Sequence, residues 1–319
     1  MPPISQLACA ALLALVATSA SAQSAKSIRF LVGAPAGGSN DIFARAIGQR
    51  LNEALGVPVI VDNRPGANQM IAADLSAKAP ADGNTLYMTS TSYTTGAAIQ
   101  PKLPFDPVND LTGITLVGKG PMVLVLHPSV PAKSAKELIA IARAKPGQLN
   151  YTSAGIGSIN HFGMEVFKSS AKIDIVHVPH KGMAPAITDL MAGQVQVLLV
   201  SLPSVEAQMK SGRLRAIGVS SPTRSAFLPE MQTIAESGLP GYDNELWWGV
   251  FTTANSPKAA SDRINAEIHK ILATAEMKKR FAEFGAEPAP TTPEAFNALV
   301  KSEIAKWTRM VKIANIKPE

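Results

Sequence analysis

Two turns rich in glycine and serine concentrate the polar chemistry of this sequence: "VGAPAGGSND" at 32–41, directly after "SIRFL", and "YTSAGIGSINHFG" at 151–163. Each follows a short apolar run and leads into a stretch with helical spacing, so each reads as a strand-to-helix turn. At such a turn the first helical amides lack partners, and the positive end of the helix dipole favours an anion. In the first turn Gly37 and Gly38 let backbone approach a ligand closely, and Ser39, Asn40 or Asp41 can cap the helix. In the second, Ser153, Gly155, Gly157 and Ser158 offer amides and hydroxyls. The first turn alone fits a plain capped turn and an anion site equally. Two such turns, facing each other from different halves of the chain, are the stronger signal.

Other chemistries need patterns that are missing. The first turn has no Gly-Lys-Ser/Thr for a phosphate loop and no G-x-G-x-x-G for a dinucleotide. A nucleophile elbow needs glycine two residues before and two after its serine. Ser153 has Tyr151 before it, and Ser158 has Ile156 before it and Asn160 after it. A secreted hydrolase of small esters or amides is therefore the alternative rather than the leading reading, and the chain is expected not to be an enzyme. His161, His177 and His180 lack a metal-ligand spacing and a clustered carboxylate pattern, so no metal or cofactor is expected. His177 is expected in a strand, with His161 and His180 lining a cleft. Trp247 and Trp248 read as core or cleft wall.

The elements that must position these turns alternate. "SIRFLVGAP", "PVIVDN" and "NTLYMTS" read as strands separated by helices, the first helix stopping at Gly56 and the second starting near Gln69. This βαβαβ order predicts a parallel sheet. A second series runs through strands "MVLVLHP", "LNYTSA", "DIVHVP", "VQVLLVS" and "RAIGVSS" with helices between them. The strand "NELWWGVFTT" and two helical stretches, "SDRINAEIHKILATAEMKKRFAEFG" and "TPEAFNALVKSEIAKWTRMVKIA", close the chain. Two α/β lobes are expected, at 23–124 with 250–319 and at 125–249. A two-strand hinge is expected near 121–127 and 246–252.

The chain has 319 residues, 46% of them hydrophobic and 17% charged, which suits a soluble protein of about two domains. Residues 1–22 carry no Asp, Glu, Lys or Arg, hold the apolar centre "LACAALLALVA", and end in Ala20-Ser21-Ala22. That is the pattern of a cleavable secretory signal, although without a basic residue ahead of the apolar run, and Gln23 would begin the mature chain. The single cysteine, Cys9, lies inside this segment, so export leaves no thiol. Net charge is +6 with 5% aromatic residues; the dispersed Lys and Arg argue against nucleic acid and for mild attraction of small anions.

With both turns and the two-lobe order in place, the chain resembles the periplasmic solute receptors of tripartite tricarboxylate transporters, the Bug-type binding proteins. The resemblance spans essentially the whole mature chain. It rests on "GGSNDIFAR", "VIVDNRPGA", "AKAPADGNTLYM", "LPFDPVNDL", "HPSVPAKSAKELIA", "KPGQLNYTSAGIGSINHFGMEVFK", "HVPHKGMAPAITDLMAGQV", "GRLRAIGVSS", "LPEMQTIAESGLPGY" and "KW", in that order. It implies a type II periplasmic binding fold that closes two lobes around a carboxylate and delivers it to membrane components of such a transporter, or to a sensor protein. It further implies that Pro35 to Asp41 and Ser153 to Ser158 hold the carboxylate through backbone groups and ordered waters. The "TSTSY" loop, with Ser90 at its edge, and the "VPHKG" turn, with His180 and Lys181, are expected toward the ligand's distal end. His161 and Ser201 complete the expected lining. Ala34 stands where the family often has Phe or Tyr, and His180 where Tyr is usual. The first leaves more room; the second admits either pH-sensitive anion affinity or a solvent-facing ring.

Overall fold

The computed structural model describes residues 27–100 and 102–317; the expected signal segment lies outside them. The run "IRFLV" forms β1 (Ile28–Val32), an interior strand between β3 and β2, with every residue but the exposed Arg29 buried. β1 pairs in parallel with β2 (Val59–Asn63) and with β3 (Thr85–Ser90). Helix α1 (Ser39–Leu55) connects β1 to β2 and stops at Gly56, whose φ of 68° terminates it. Helix α2 (Met70–Ala77) connects β2 to β3. The "TSTSY" segment (89–93), expected as a loop, is divided instead between the end of β3 and the start of α3 (Ser92–Ile99), with only Thr91 between them. The long β4 (Leu111–Gly120) then joins the same sheet.

The second sheet begins with β5 (Met122–Leu126), one residue after β4 ends. Its further strands are β6 (Asn150–Ser153), β7 (Val176–Pro179), β8 (Val197–Ser201) and β9 (Arg215–Val219). Between them run α4 (Ala135–Ala144), α5 (Ile159–Ala171), α6 (Met183–Met191) and the short α7 (Glu206–Lys210). The chain then returns to the first sheet as β10 (Leu246–Thr253). The C-terminal stretch around 261–285, expected as one helix, divides into α8 (Lys258–Leu272) and α9 (Ala275–Ala282), because Thr274 turns out of the helix and caps α9 through its side chain. β11 (Glu287–Pro288) and α10 (Pro293–Ile313) follow.

Among the described residues the strand orders are β11-β4-β10-β3-β1-β2 and β7-β6-β8-β5-β9. In the interior strands alternate residues feed opposite cores. Phe30 and Val32 pack under one face of the first sheet and Leu31 under the other; Leu124 and Val125 divide the same way in the second. β5 lies wholly in the second sheet and β10 wholly in the first. The chain therefore crosses at Pro121 and again between Val219 and Leu246, whereas the expected boundaries at 124/125 and 249/250 would cut both strands. The crossings lie side by side: Leu246 is the register partner of Gly120, and Ser220 stitches them by donating its hydroxyl to Asn244 O at 2.7 Å while accepting the Met122 amide at 2.8 Å. Helix α10 makes a third bridge. Its first turns place Phe296 and Val300 in a first-sheet core, and its last place Trp307 against Phe162 of α5, ring centroids 5.4 Å apart.

Candidate functional site

The turn into α1 is held by a carboxylate. Asp41 is buried, accepts the Gly37 amide at 2.9 Å and the Asn63 carboxamide at 3.0 Å, and pairs with Arg45 at 2.9 Å. Burial pushes its carboxyl up, but hydrogen bonds from Arg45, the Gly37 amide and Asn63 outweigh that and hold it below the usual range. Asp41 thus acts on its own loop. Helix α1 has Gly38 as its N-cap and no side-chain cap, so the expected capping by Ser39, Asn40 or Asp41 is not what forms. Ser39 Oγ instead accepts the Trp248 indole N–H at 3.0 Å. The amides of Ser39, Asn40 and Asp41 have no acceptor among the described residues. Pro35 to Gly38 are exposed, and Ala34 is half-buried with its carbonyl taken by Asn63.

Two expectations about the glycines change. The Gly37 amide is already bonded to Asp41, and a β-carbon there would meet nothing within 4 Å; its φ of 84°, not close approach, is what selects glycine. Gly38 has φ −77°, open to other residues.

The turn into α5 is built from neutral groups. Ser158 caps the helix, accepting the His161 amide at 3.3 Å and donating its hydroxyl to Gly155 O at 2.7 Å. His161 Nδ1 accepts the Gly157 amide at 3.2 Å. The His161 ring stacks on His177 at 4.2 Å, and His177 stacks on Tyr151 at 4.6 Å. Burial pushes the His161 imidazole down to about 4 and that of His177 to about 3, the latter further lowered by His161 beside it. Both rings are neutral at ordinary pH. The Ser153 hydroxyl is fully buried, 2.7 Å from His177 Nε2 and 3.2 Å from both the amide and the carbonyl of Gly155. The amides of Ala154 and Ile156 have no acceptor among the described residues.

The remaining expected residues divide. His180 has both ring nitrogens committed, Nδ1 to the Thr152 hydroxyl at 2.7 Å and Nε2 to Asp189 at 2.8 Å, so neither an anion-binding nor a solvent-facing ring is what forms. Lys181 is exposed and makes no ion pair among the described residues. Ser201, at the end of β8, shares a hydrogen bond with Ser204 at 2.9 Å. Ser90 is buried and accepts the Gln69 carboxamide at 2.9 Å.

Gln69 belongs to the joint between the two turns. Ala67, Asn68 and Gln69 follow one another with φ of 47°, 50° and 74°, a left-handed turn of three non-glycine residues. Such a residue costs on the order of 1–2 kcal/mol, less for Asn, so something must hold the turn. Gln69 Oε1 accepts Asn40 Nδ2 at 3.1 Å and the Thr89 hydroxyl, and Tyr87 donates its hydroxyl to Gln69 O at 3.0 Å. This buried network ties the start of α1 to the end of β3. On its other side the turn meets the second lobe: a β-carbon on Gly157 would stand 2.6 Å from Asn68 Nδ2 and 3.3 Å from Ile99 Cδ1. The two glycine turns are thus joined through residues 67–69.

A profile of the tripartite tricarboxylate transporter family receptor matches residues 43–316, most of the chain. The chain belongs to this family. It is 35% identical over 287 residues to a UPF0065 protein from the tcbD-tcbE intergenic region of a Pseudomonas species, covering 90% of this chain and 85% of that one. It is 33% identical to Protein BugT of Bordetella pertussis, covering 92% and 91%. Among solved structures, R. palustris Rpa4515 with adipate aligns with a TM-score of 0.80 and 32% identity over 92% of this chain and 98% of that one. MatC from Rhodopseudomonas palustris with bound malate aligns at 0.75 and 27% over 89% and 98%. The two-lobed fold of these receptors is the fold of this chain.

Sequence reasoning missed Asn68, Gln69 and the role of His177. "RPGANQM" carries one signal, Asn68 two residues after Gly66, but nothing local announces left-handed backbone at Ala67 or Gln69. His177 alternates with apolar neighbours in β7, and only tertiary packing brings Ser153 and His161 to its ring.

Proposed function

We propose that this receptor is periplasmic and closes its two lobes around a small mono-, di- or tricarboxylate, which it presents to the membrane components of a tripartite tricarboxylate-type transporter. One observation carries the reading: strand-to-helix turns of both lobes, each with unpartnered amides, converge on residues 67–69. In this reading the lobes are 27–120 with 246 onward, and 122–245, with α10 packed across both. The ligand is held by the amides of Ser39 to Asp41 and of Ala154 and Ile156. The side chains of Asn40, Asp41, Ser90, Ser153, His161 and His180 shape those loops rather than contact the ligand. A charge-assisted hydrogen bond contributes roughly 1.5–3 kcal/mol, so a handful of amides suffices for micromolar affinity, about 8 kcal/mol. A ligand that touches both lobes favours the closed state by its differential affinity for it. Delivery to a sensor protein uses the same closed state and is separated from transport by pull-down with and without ligand.

No chemistry on the ligand is part of this reading. The Ser153–His177 pair has the contact of a serine hydrolase, yet Ser153 is fully buried, and its hydroxyl is engaged by both the amide and the carbonyl of Gly155. His177, stacked between Tyr151 and His161 and lowered to about 3, is a weak base.

The test is a thermal-shift screen of the chain from Gln23 against acetate, succinate, malate, adipate and citrate, with the matching amides as controls. A ligand specific to the folded state adds about 2.7 kcal/mol at a hundred times its Kd. A shift with an acid and none with its amide is the expected result. Turnover of a small ester would overturn the reading.

A further inference from the structure

The left-handed turn 67–69 places one polar side chain without a partner where the lobes meet. Its neighbours are all engaged: Gln69 by Asn40, Thr89 and Ser90, and Gly157 through its amide by His161. The Asn68 carboxamide has no hydrogen-bond partner among the described residues, although it is half-buried and its Nδ2 faces Gly157 of the other lobe. Two glycines make room for this residue. A β-carbon on Gly96 of α3 would stand 2.8 Å from Asn68 O and 3.0 Å from its Cβ, and one on Gly157 2.6 Å from Nδ2. Glycine at 68 would take the same backbone at no steric cost, so the turn itself does not need the carboxamide. Backbone held in an unfavourable region by surrounding contacts concentrates at ligand clamps.

We infer that Asn68 is a ligand-contacting residue, its carboxamide N–H donating to a carboxylate oxygen of the solute at the seam between the lobes. This rests on the carboxylate reading above and adds a side-chain donor to the backbone amides of the two turns. Gln69 is its positioning residue, anchoring the turn to the start of α1. An amide is suited to this place because it supplies a donor without a charge to desolvate when the lobes close.

Three proteins decide it: the wild type, Asn68→Gly and Asn68→Asp, each titrated calorimetrically with acetate, succinate, malate, adipate and citrate, and each melted without ligand. Asn68→Gly is expected to melt at or above the wild-type temperature, since glycine removes left-handed strain, while binding the preferred acid about tenfold more weakly. A merely structural residue does not separate stability from affinity in this way. Asn68→Asp turns a donor into a like charge and is expected to lose about a hundredfold or more. Wild-type affinity in both variants overturns the role of Asn68 and leaves the receptor reading intact. If the wild type itself binds none of the five acids, the carboxylate reading falls, and this inference with it.

Discussion

The turns at 33–41 and 153–158 occupy equivalent places, each between a strand and the helix that follows it, yet they are held by opposite means. A buried carboxylate fastens the first: Asp41 collects the Gly37 amide, Asn63 and Arg45, and leaves the helix without a side-chain cap. Neutral groups fasten the second: Ser158 caps, His161 takes the Gly157 amide, and His177 supports Ser153. Similar glycine content therefore conceals different electrostatics. A charge beside the first turn is stabilised by arginine and amides, whereas the second stays neutral by desolvation.

The sharpest test of this contrast is pH. A His whose folded pKa is depressed favours the folded state fully above its unfolded value of 6.5 and loses that contribution as pH falls toward the folded value. With His161 at about 4 and His177 at about 3, the Tm of the unliganded chain should drop steadily from pH 6.5 to 4. The double variant His161→Asn, His177→Asn should flatten that slope, and an unchanged slope would reject the neutral stack. Asp41, depressed below 3.8, contributes in full across this window and is lost only in stronger acid.

Next in size is Asp41→Ala, which leaves the Gly37 amide and Asn63 without their acceptor. It should cost about 2 kcal/mol in denaturant unfolding at pH 7. If the loss is below half a kilocalorie, the carboxylate does not organise the first turn. Gly157→Ala, with φ of 80° and a β-carbon 2.6 Å from Asn68 Nδ2, should weaken acid binding about tenfold or more through strain at the seam. Ser158→Ala removes the cap of α5 and should cost about 1 kcal/mol. The smallest effect should come from Gly38→Ala, where φ is −77° and the nearest contact to a β-carbon is Pro35 O at 3.5 Å. Equal effects of Gly38→Ala and Gly157→Ala on affinity would erase the distinction between the turns.

The alternation of apolar runs and helical stretches made both sheets legible, because strands buried on two faces, such as "MVLVL", read as continuous apolar runs, and "IRFLV" departs from one only at the exposed Arg29. Both turns were legible for the same local reason, glycine and serine between a strand and a helix. β4 escaped that reading: "LTGITLVGKG" mixes glycine and threonine into a strand whose partners lie far away in sequence, on β10.

By itself the sequence determined the order of elements, the two glycine turns and the class of small ligand they suit, since each depends on contacts within a few residues. Tertiary structure alone decided which atoms of those turns remain open. The Ser39 hydroxyl is taken by Trp248, Asn40 by Gln69, Ser153 by His177 and the His180 ring by Thr152, and Asn68 is carried to Gly157 across the lobes. Hydrogen bonds between residues tens of positions apart leave no local signature, because their geometry exists only once both lobes have folded and met.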